Sequence, residues 1–178
     1  MDWRIIVTLV LVACIMIPLF IFLVTGIMGA PYVPSEAPDI RKAFTELYAL
    51  SDKDLLIDFG SGDGTVPQIA TEYGAKAIGI EINPILVWFS KHRLRKNKNL
   101  KIKHANMYRY HLPKDTTVIY MYMLPQGLES AYRHIKKEAT RLDKTLYLIS
   151  NAFDLKKVKP TEHAAPLYLY KITPEKQK

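Results

Sequence analysis

The pattern of apolar and polar positions divides the chain near residue 30. From Ile5 to Met28 no residue is charged, and Ile, Val, Leu and Phe dominate. About 20 apolar residues suffice to cross a bilayer, so this run is long enough to span one with some tilt. Trp3 and Arg4 before it and Tyr32 after it have the character of interfacial anchors. A cleaved signal fits less well, because the apolar core is too long and Pro31 follows the small pair Gly29-Ala30. The expectation is a retained transmembrane anchor over residues 1–30, spanning through 5–28, and one domain over residues 31–178. The Lys/Arg-rich character of that domain favours a single-pass protein with the domain on the cytoplasmic side.

Beyond the prolines at 31, 34 and 38 the period changes. Ile40, Ala43, Phe44, Leu47 and Tyr48 recur at helical spacing and predict an amphipathic helix over 39–50. Leu55-Leu56-Ile57 reads as a buried strand, and Thr65 to Glu72 as a helix. Ala77-Ile78-Gly79-Ile80 is a second strand closed by Glu81. Asn83 as N-cap and Pro84 as first helical residue open a helix that should end near Lys96. Ile102 centres a third strand. Thr117 to Met123 is charge-free and rich in strand formers, so it reads as a central strand. A long helix through Leu128, Ala131, Tyr132, Ile135, Ala139 and Leu142 follows, then strands over 145–149 and 166–172. Strands alternating with helices predict an α/β fold with a parallel sheet covered on both faces.

Composition narrows the chemistry. A length of 178 residues leaves room for the apolar segment and one compact domain. The net charge of +8 favours acidic surfaces, anionic lipid or nucleic acid as neighbours, and equally fits ordinary solvated lysines. Lys91 to Lys103 concentrates Lys and Arg without an acid. Cys14 is the single cysteine and sits in the apolar run, so neither a disulfide framework nor a zinc cluster is expected. His92, His104, His111, His134 and His163 lack ligand spacing, so no metal site is expected.

The candidate chemistry lies where the strands end. Asp58-Phe59-Gly60-Ser61-Gly62-Asp63-Gly64 places a glycine-rich turn between a strand and a helix start, which lets the backbone approach a ligand closely. The spacing is G-x-G-x-G, not the G-x-G-x-x-G of a pyrophosphate grip, and suits an adenosine cofactor such as S-adenosylmethionine. Glu81 at the next strand end is placed to accept ribose hydroxyls. Asn106, Met123–Pro125 and Ser150–Phe153 occupy the remaining strand ends, where ligands of open α/β sheets sit.

Three stretches together point to a family. Tyr32-Val33-Pro34-Ser35, the Asp58–Gly64 turn and Glu81-Ile82-Asn83-Pro84 with its Ile-Leu-Val-Trp-Phe-Ser continuation resemble the seven-strand (class I) lysine methyltransferases. The resemblance is to the small membrane-anchored group acting on the ATP synthase c-subunit and the adenine nucleotide translocase, and to its archaeal relatives. It covers residues 31 to the C-terminus and implies the class I fold, a Rossmann-like, mostly parallel seven-stranded sheet. It implies S-adenosylmethionine as cofactor, held by Ser35, Asp58, Gly60, Ser61, Gly62, Asp63, Gly64, Glu81, Ile82, Asn106 and Met107. It implies Tyr32 as part of a flap over the methyl donor, and Met123, Leu124 and Pro125 as the catalytic strand end. Ser35 stands where the family usually has Thr, so the hydroxyl survives. Leu124-Pro125 replaces the Asn/Asp-Pro-Pro-aromatic motif of enzymes that methylate bases and side-chain amides.

The implied activity is methylation of a lysine on a protein substrate. Tyr32, Tyr122, Met123, Leu124 and Phe153 would line the lysine channel, with the Met123 and Leu124 carbonyls aligning the amine. Four residues separate Met28 from Tyr32, at most about 14 Å of extended chain. A site covered by Tyr32 would therefore face the bilayer, and its substrate would be a membrane protein with a juxtamembrane lysine. A methyltransferase of a lipid or small molecule, and a non-catalytic S-adenosylmethionine-binding module, are the competing readings. An NAD(P) reductase ranks behind them, and no specific nucleic acid partner is expected.

Overall fold

The computed structural model describes residues 2–28 and 34–175. It divides into two compact units, Met1–Tyr32 and Val33–Lys178. In the first unit, helix α1 runs Trp3–Met28. Asp2 receives the first amides, Ile5 N donating to the Asp2 carbonyl at 3.0 Å and Arg4 N to its carboxylate at 3.1 Å. Trp3, Ile5 to Val7 and Leu9 to Val12 are all exposed. Side chains of α1 are described only at Trp3–Ile17 and Leu19. Among the described residues no helix is long and apolar enough to cross a membrane, so they do not support the expected span through 5–28.

The second unit holds a sheet of seven strands. These are β1 Leu55–Phe59, β2 Lys76–Glu81, β3 Leu100–His104, β4 Val118–Tyr122, β5 Leu146–Asn151, β6 Glu162–Ala164 and β7 Leu167–Ile172. Their order is β3-β2-β1-β4-β5-β7-β6. The first five are parallel, while β7 runs antiparallel to both β5 and β6. Alternation along β1 and β4 supplies two cores. Ile57, Phe59, Ile119 and Met121 pack beneath Leu128, Ala131, Ile135 and Ala139 of helix α5, Pro125–Leu142. Leu56, Val118 and Tyr120 on the other face pack with Val66, Ile69 and Ala70 of α3, Thr65–Glu72, and with Ile40, Ala43 and Phe44.

The elements follow the expected order with four adjustments. The helix predicted over 39–50 is a short α-helix α2, Ala37–Lys42, that widens into a π-helical turn, Ala43–Leu47. Tyr48 N reaches back to Ala43 O at 3.0 Å, and the wider turn still buries Ala43, Phe44 and Leu47 together. Helix α4, Pro84–Arg93, stops before Lys96 because Leu94 turns inward to its own core position and the chain bends there. Strand β5 extends beyond Ile149 to Asn151, carrying Ser150 and Asn151 into the site region. Finally, β6 is a three-residue strand with no apolar alternation to announce it.

Candidate active site

β1 ends in a turn whose glycines all take left-handed backbone: φ is +83° at Gly60, +52° at Gly62 and +83° at Gly64. The turn folds back over β2, with Gly60 N and Ser61 N donating to Ile80 O at 2.9 and 3.1 Å. A Cβ on Gly60 would meet nothing within 4 Å, so open space lies over this glycine. A Cβ on Gly64 would instead sit 2.5 Å from Leu94 Cδ1. Gly79 of β2 does comparable work from below, since a Cβ there would approach Ser61 Oγ to 2.6 Å. Gly60 thus faces open space, and Gly64 and Gly79 make room for protein.

Two buried carboxylates flank this turn. Glu81 ends β2, its Oε2 accepting Gly62 N at 2.9 Å and its Oε1 accepting Asn83 N at 2.7 Å. A carboxylate oxygen carries two lone pairs, so each retains capacity for a hydroxyl donor. Asn83 next caps α4, accepting from Ile85 N at 2.9 Å and Leu86 N at 3.4 Å. Asp58 is only 3% exposed, and its Oδ2 has no hydrogen-bond partner among the described residues. Burial, with Glu81 and Asp63 adding like charge, holds its carboxyl well above the usual carboxylate range. An orphaned buried oxygen of this kind calls for a donor, preferably a cationic one. The Asp63 carboxylate is committed otherwise: it accepts Thr65 N at 3.1 Å and Thr65 Oγ at 2.8 Å, with the Arg93 guanidinium on its carbonyl at 2.7 Å. Asp63 therefore starts α3, and reaches the site only through its charge.

The remaining predicted positions fall around the same strand ends. Ile82, 39% exposed, follows Glu81, and the His104 ring nitrogen pairs with the Ile82 carbonyl at 2.9 Å. Asn106 caps a 3-10 turn, Met107–Arg109, by accepting Tyr108 N at 2.9 Å. Ser35 is bound from across the sheet, its Oγ accepting from Tyr120 Oη at 3.2 Å and Asn151 Nδ2 at 3.5 Å, while Asn151 Nδ2 also donates to Tyr120 Oη at 3.1 Å. Burial keeps the Tyr120 phenol far above its usual range and so protonated as a donor. Tyr32, expected in the flap, lies outside the described residues.

At the end of β4, Met123 packs against Gly127, and Tyr108 Oη donates to its sulfur at 3.3 Å. The rings of Tyr122 and Phe153 face each other at 6.4 Å. Phe153 is held by the Ser150 hydroxyl on its carbonyl at 2.6 Å, beyond a left-handed Ala152 (φ +67°). One expectation needs correcting. The Leu124 carbonyl does not point at a substrate, because it accepts Leu128 N at 3.0 Å as the first bond of α5. Pro125, with no amide of its own, starts the helix at N1. The Met123 carbonyl carries no hydrogen bond among the described residues and is the acceptor left at this strand end.

Sequence reasoning placed Asn151 only as part of the Ser150–Phe153 strand end, and it missed Tyr120 and Tyr108. A tyrosine in a charge-free strand does signal a buried hydroxyl that must find a partner, but the partners lie 85 and 31 residues away.

A parallel sheet with this strand order, a reversed β7 and a glycine turn between two buried carboxylates defines a class I methyltransferase fold. The family model of the ANTKMT methyltransferase domain matches residues 58–162, and the chain belongs to this family. The ATP synthase c-subunit lysine N-methyltransferase of Rattus norvegicus is 33% identical over 92 residues, which is 40% of this chain and 43% of that protein. The Caenorhabditis elegans protein of the same name is 29% identical over 134 residues, covering 70% of this chain and 67% of its own. The matched region thus spans less than half of the rat relative's length. Among solved structures, an RNA methyltransferase from Salinibacter ruber in complex with S-adenosyl-L-homocysteine superposes with a TM-score of 0.71 at 23% identity. It covers 82% of this chain and 97% of its own.

Proposed function

We propose that the chain is an S-adenosylmethionine-dependent protein-lysine N-methyltransferase acting on a membrane-proximal lysine. The cofactor fits on a specific observation: the unpartnered Asp58 oxygen and the open space over Gly60 lie on one turn. Asp58 would receive a cationic end of the cofactor, Glu81 its ribose hydroxyls, and Ile82 with Met107 the flanks of its adenine. When bound, the cofactor supplies a methyl group on a sulfonium that is already a good leaving group.

The protein's task is then to deliver a neutral amine in line with that methyl. A free lysine amine has a pKa near 10.4, and desolvation lowers it. The facing rings of Tyr122 and Phe153 provide such a desolvated approach. The Met123 carbonyl, without a hydrogen bond among the described residues, can accept a hydrogen bond from one amine N–H and so direct the nitrogen lone pair. That carbonyl carries the substrate reading: the β4 end offers a backbone acceptor and rings. Met123-Leu124-Pro125 has no side-chain amide or carboxylate with which to grip a base or an amide. The relatives named for lysine methylation of the ATP synthase c-subunit support this reading.

The apolar residues 5–28 are proposed to anchor the chain as a single-pass membrane protein with its domain on the cytoplasmic side. The tether to Ser35 is then short enough to confine the site to substrates near the bilayer. Incubating membranes and the chain with S-adenosylmethionine labelled in its methyl group tests the whole reading. Label in a protein band, mapped to lysine by mass spectrometry, is the expected result. Label in the lipid extract would show a lipid methyltransferase instead, and no label at all a binding module.

A further inference from the structure

Helix α4 has two faces of unusual contrast. Val87, Ser90 and, just past its end, Leu94 are buried, packing α4 and its terminus onto the sheet beside Leu100 and Ile102. Ile85, Trp88, Phe89 and His92 form the opposite stripe at i, i+3, i+4 and i+7. On that stripe Ile85 is 48%, Trp88 69% and Phe89 47% exposed, continued toward the site by Ile82. An exposed indole and phenyl on one helix turn are not explained by the fold, because neither contributes to a core cluster. Contiguous apolar patches of this sort mark an interaction surface.

The charge around the patch identifies the partner. Residues 82–114 contain nine Lys/Arg and no Asp or Glu. Lys91, Arg95, Lys96 and Lys98 are exposed beside the apolar stripe. Arg95 Nη1 lies 2.9 Å from His92 Nε2, and the His92 ring stacks on Trp88 at 6.0 Å between centroids. The indole is therefore held on the surface by the Arg95–His92 pair rather than folded under. An aromatic and aliphatic ridge beside exposed cations matches the boundary between anionic headgroups and acyl chains, where Trp and Phe insert and Lys and Arg meet phosphate. An acidic protein surface would satisfy the cations, but would leave three apolar side chains against polar groups.

We propose that the Ile85–Trp88–Phe89 ridge is an interfacial membrane-binding surface that seats the domain on anionic lipid. It acts apart from the apolar N-terminal helix and does not rest on the methylation reading. Seated there, the ridge brings Ile82 and the end of β2 against the lipid surface.

The chain has two tryptophans, so full-length protein carrying Trp3→Phe reports on Trp88 alone. With vesicles of phosphatidylserine and phosphatidylcholine, Trp88 emission should shift to the blue. Nitroxides placed high on the acyl chains should quench it, with loss of quenching in pure phosphatidylcholine or high salt. Adding Ile85→Ser and Phe89→Ser should abolish the shift. Emission that stays water-like in the anionic vesicles overturns the proposal. So does equal quenching in neutral vesicles, or an indole already shielded before lipid is added. Such shielding would assign the ridge to a second copy if dilution reverses it, and to the chain's own apolar helix if not. Because no methyl donor enters the measurement, its failure is distinct from failure of the enzymatic reading.

Discussion

Glu81 spends one lone pair of each oxygen on the backbone amides of Gly62 and Asn83, so it shapes the turn besides its proposed role toward the ribose. Glu81→Gln retains the size of the side chain but removes its charge and part of its acceptor capacity. Calorimetry should show at least about a tenfold loss of S-adenosylmethionine affinity, about 1.4 kcal/mol, for one weakened charged hydrogen bond. Unchanged affinity would remove the cofactor assignment. Asp58 behaves differently because its folded-state pKa is raised. Its contribution to stability is full below the ordinary carboxylate pKa and is lost as pH rises through the folded value. Asp58→Asn should therefore make the unliganded chain more stable at neutral pH while weakening cofactor binding. Thermal melts of both proteins from acid to neutral pH check this. If the two curves are parallel, the carboxyl is not held protonated. That Asp58 and Glu81 belong together was legible from the strand ends they close. That Asp63 belongs to Thr65 and Arg93 was not, since the turn sequence does not say which way its carboxylate points.

Among the secondary elements, α5 is tied to the loop before β4 through Glu138. Arg141 donates to it at 2.6 Å, Leu112 N at 2.6 Å and His111 at 3.1 Å. Burial by itself would raise this carboxyl, but those bonds outweigh it and bring it down to about 2. The sign is opposite to that of Asp58: the stabilisation is present above the unfolded carboxylate pKa, near 4.3, and is lost as pH falls toward 2. Glu138→Gln should lower the melting temperature at pH 7 and leave a shallower acid limb. An unaltered acid limb would place the lock elsewhere. A second element-level test is Gly79→Ala, which forces Ser61 and Ile102 off β2. It should cost about 1–3 kcal/mol in chemical denaturation, the usual penalty for overpacking a filled site. The five parallel strands and three of the helices could be read from apolar runs and caps, because burial on both faces writes a continuous signal. The reversal of β7 could not, as Leu167–Ile172 has the composition of a parallel strand, and its direction depends on the pairing with Leu146–Asn151. Ser35 was legible as a hydroxyl near the cofactor only by family likeness. Its partners Tyr120 and Asn151 lie on β4 and β5, and the placement of those strands sets the contact.

For the molecule as a whole, the proposed anchoring makes a prediction about substrate choice. A chain lacking residues 1–30 should still bind S-adenosylmethionine, since the glycine turn and both carboxylates lie within Val33–Lys178. It should lose most of its activity on a membrane-embedded target while methylating a soluble lysine peptide as well as the full chain does. Equal activity on the embedded target would show that proximity to the bilayer does not choose the substrate. The buried Asp58 carboxyl has a consequence at this scale too. If it is protonated in the free protein and meets a cation in the complex, filling the site expels a proton into solution. Affinity for the methyl donor would then climb with pH until the free carboxyl is itself ionised. The heat of binding would differ between buffers in proportion to their own heats of protonation. Loading of the site would thereby be geared to the acidity of the compartment in which the chain works.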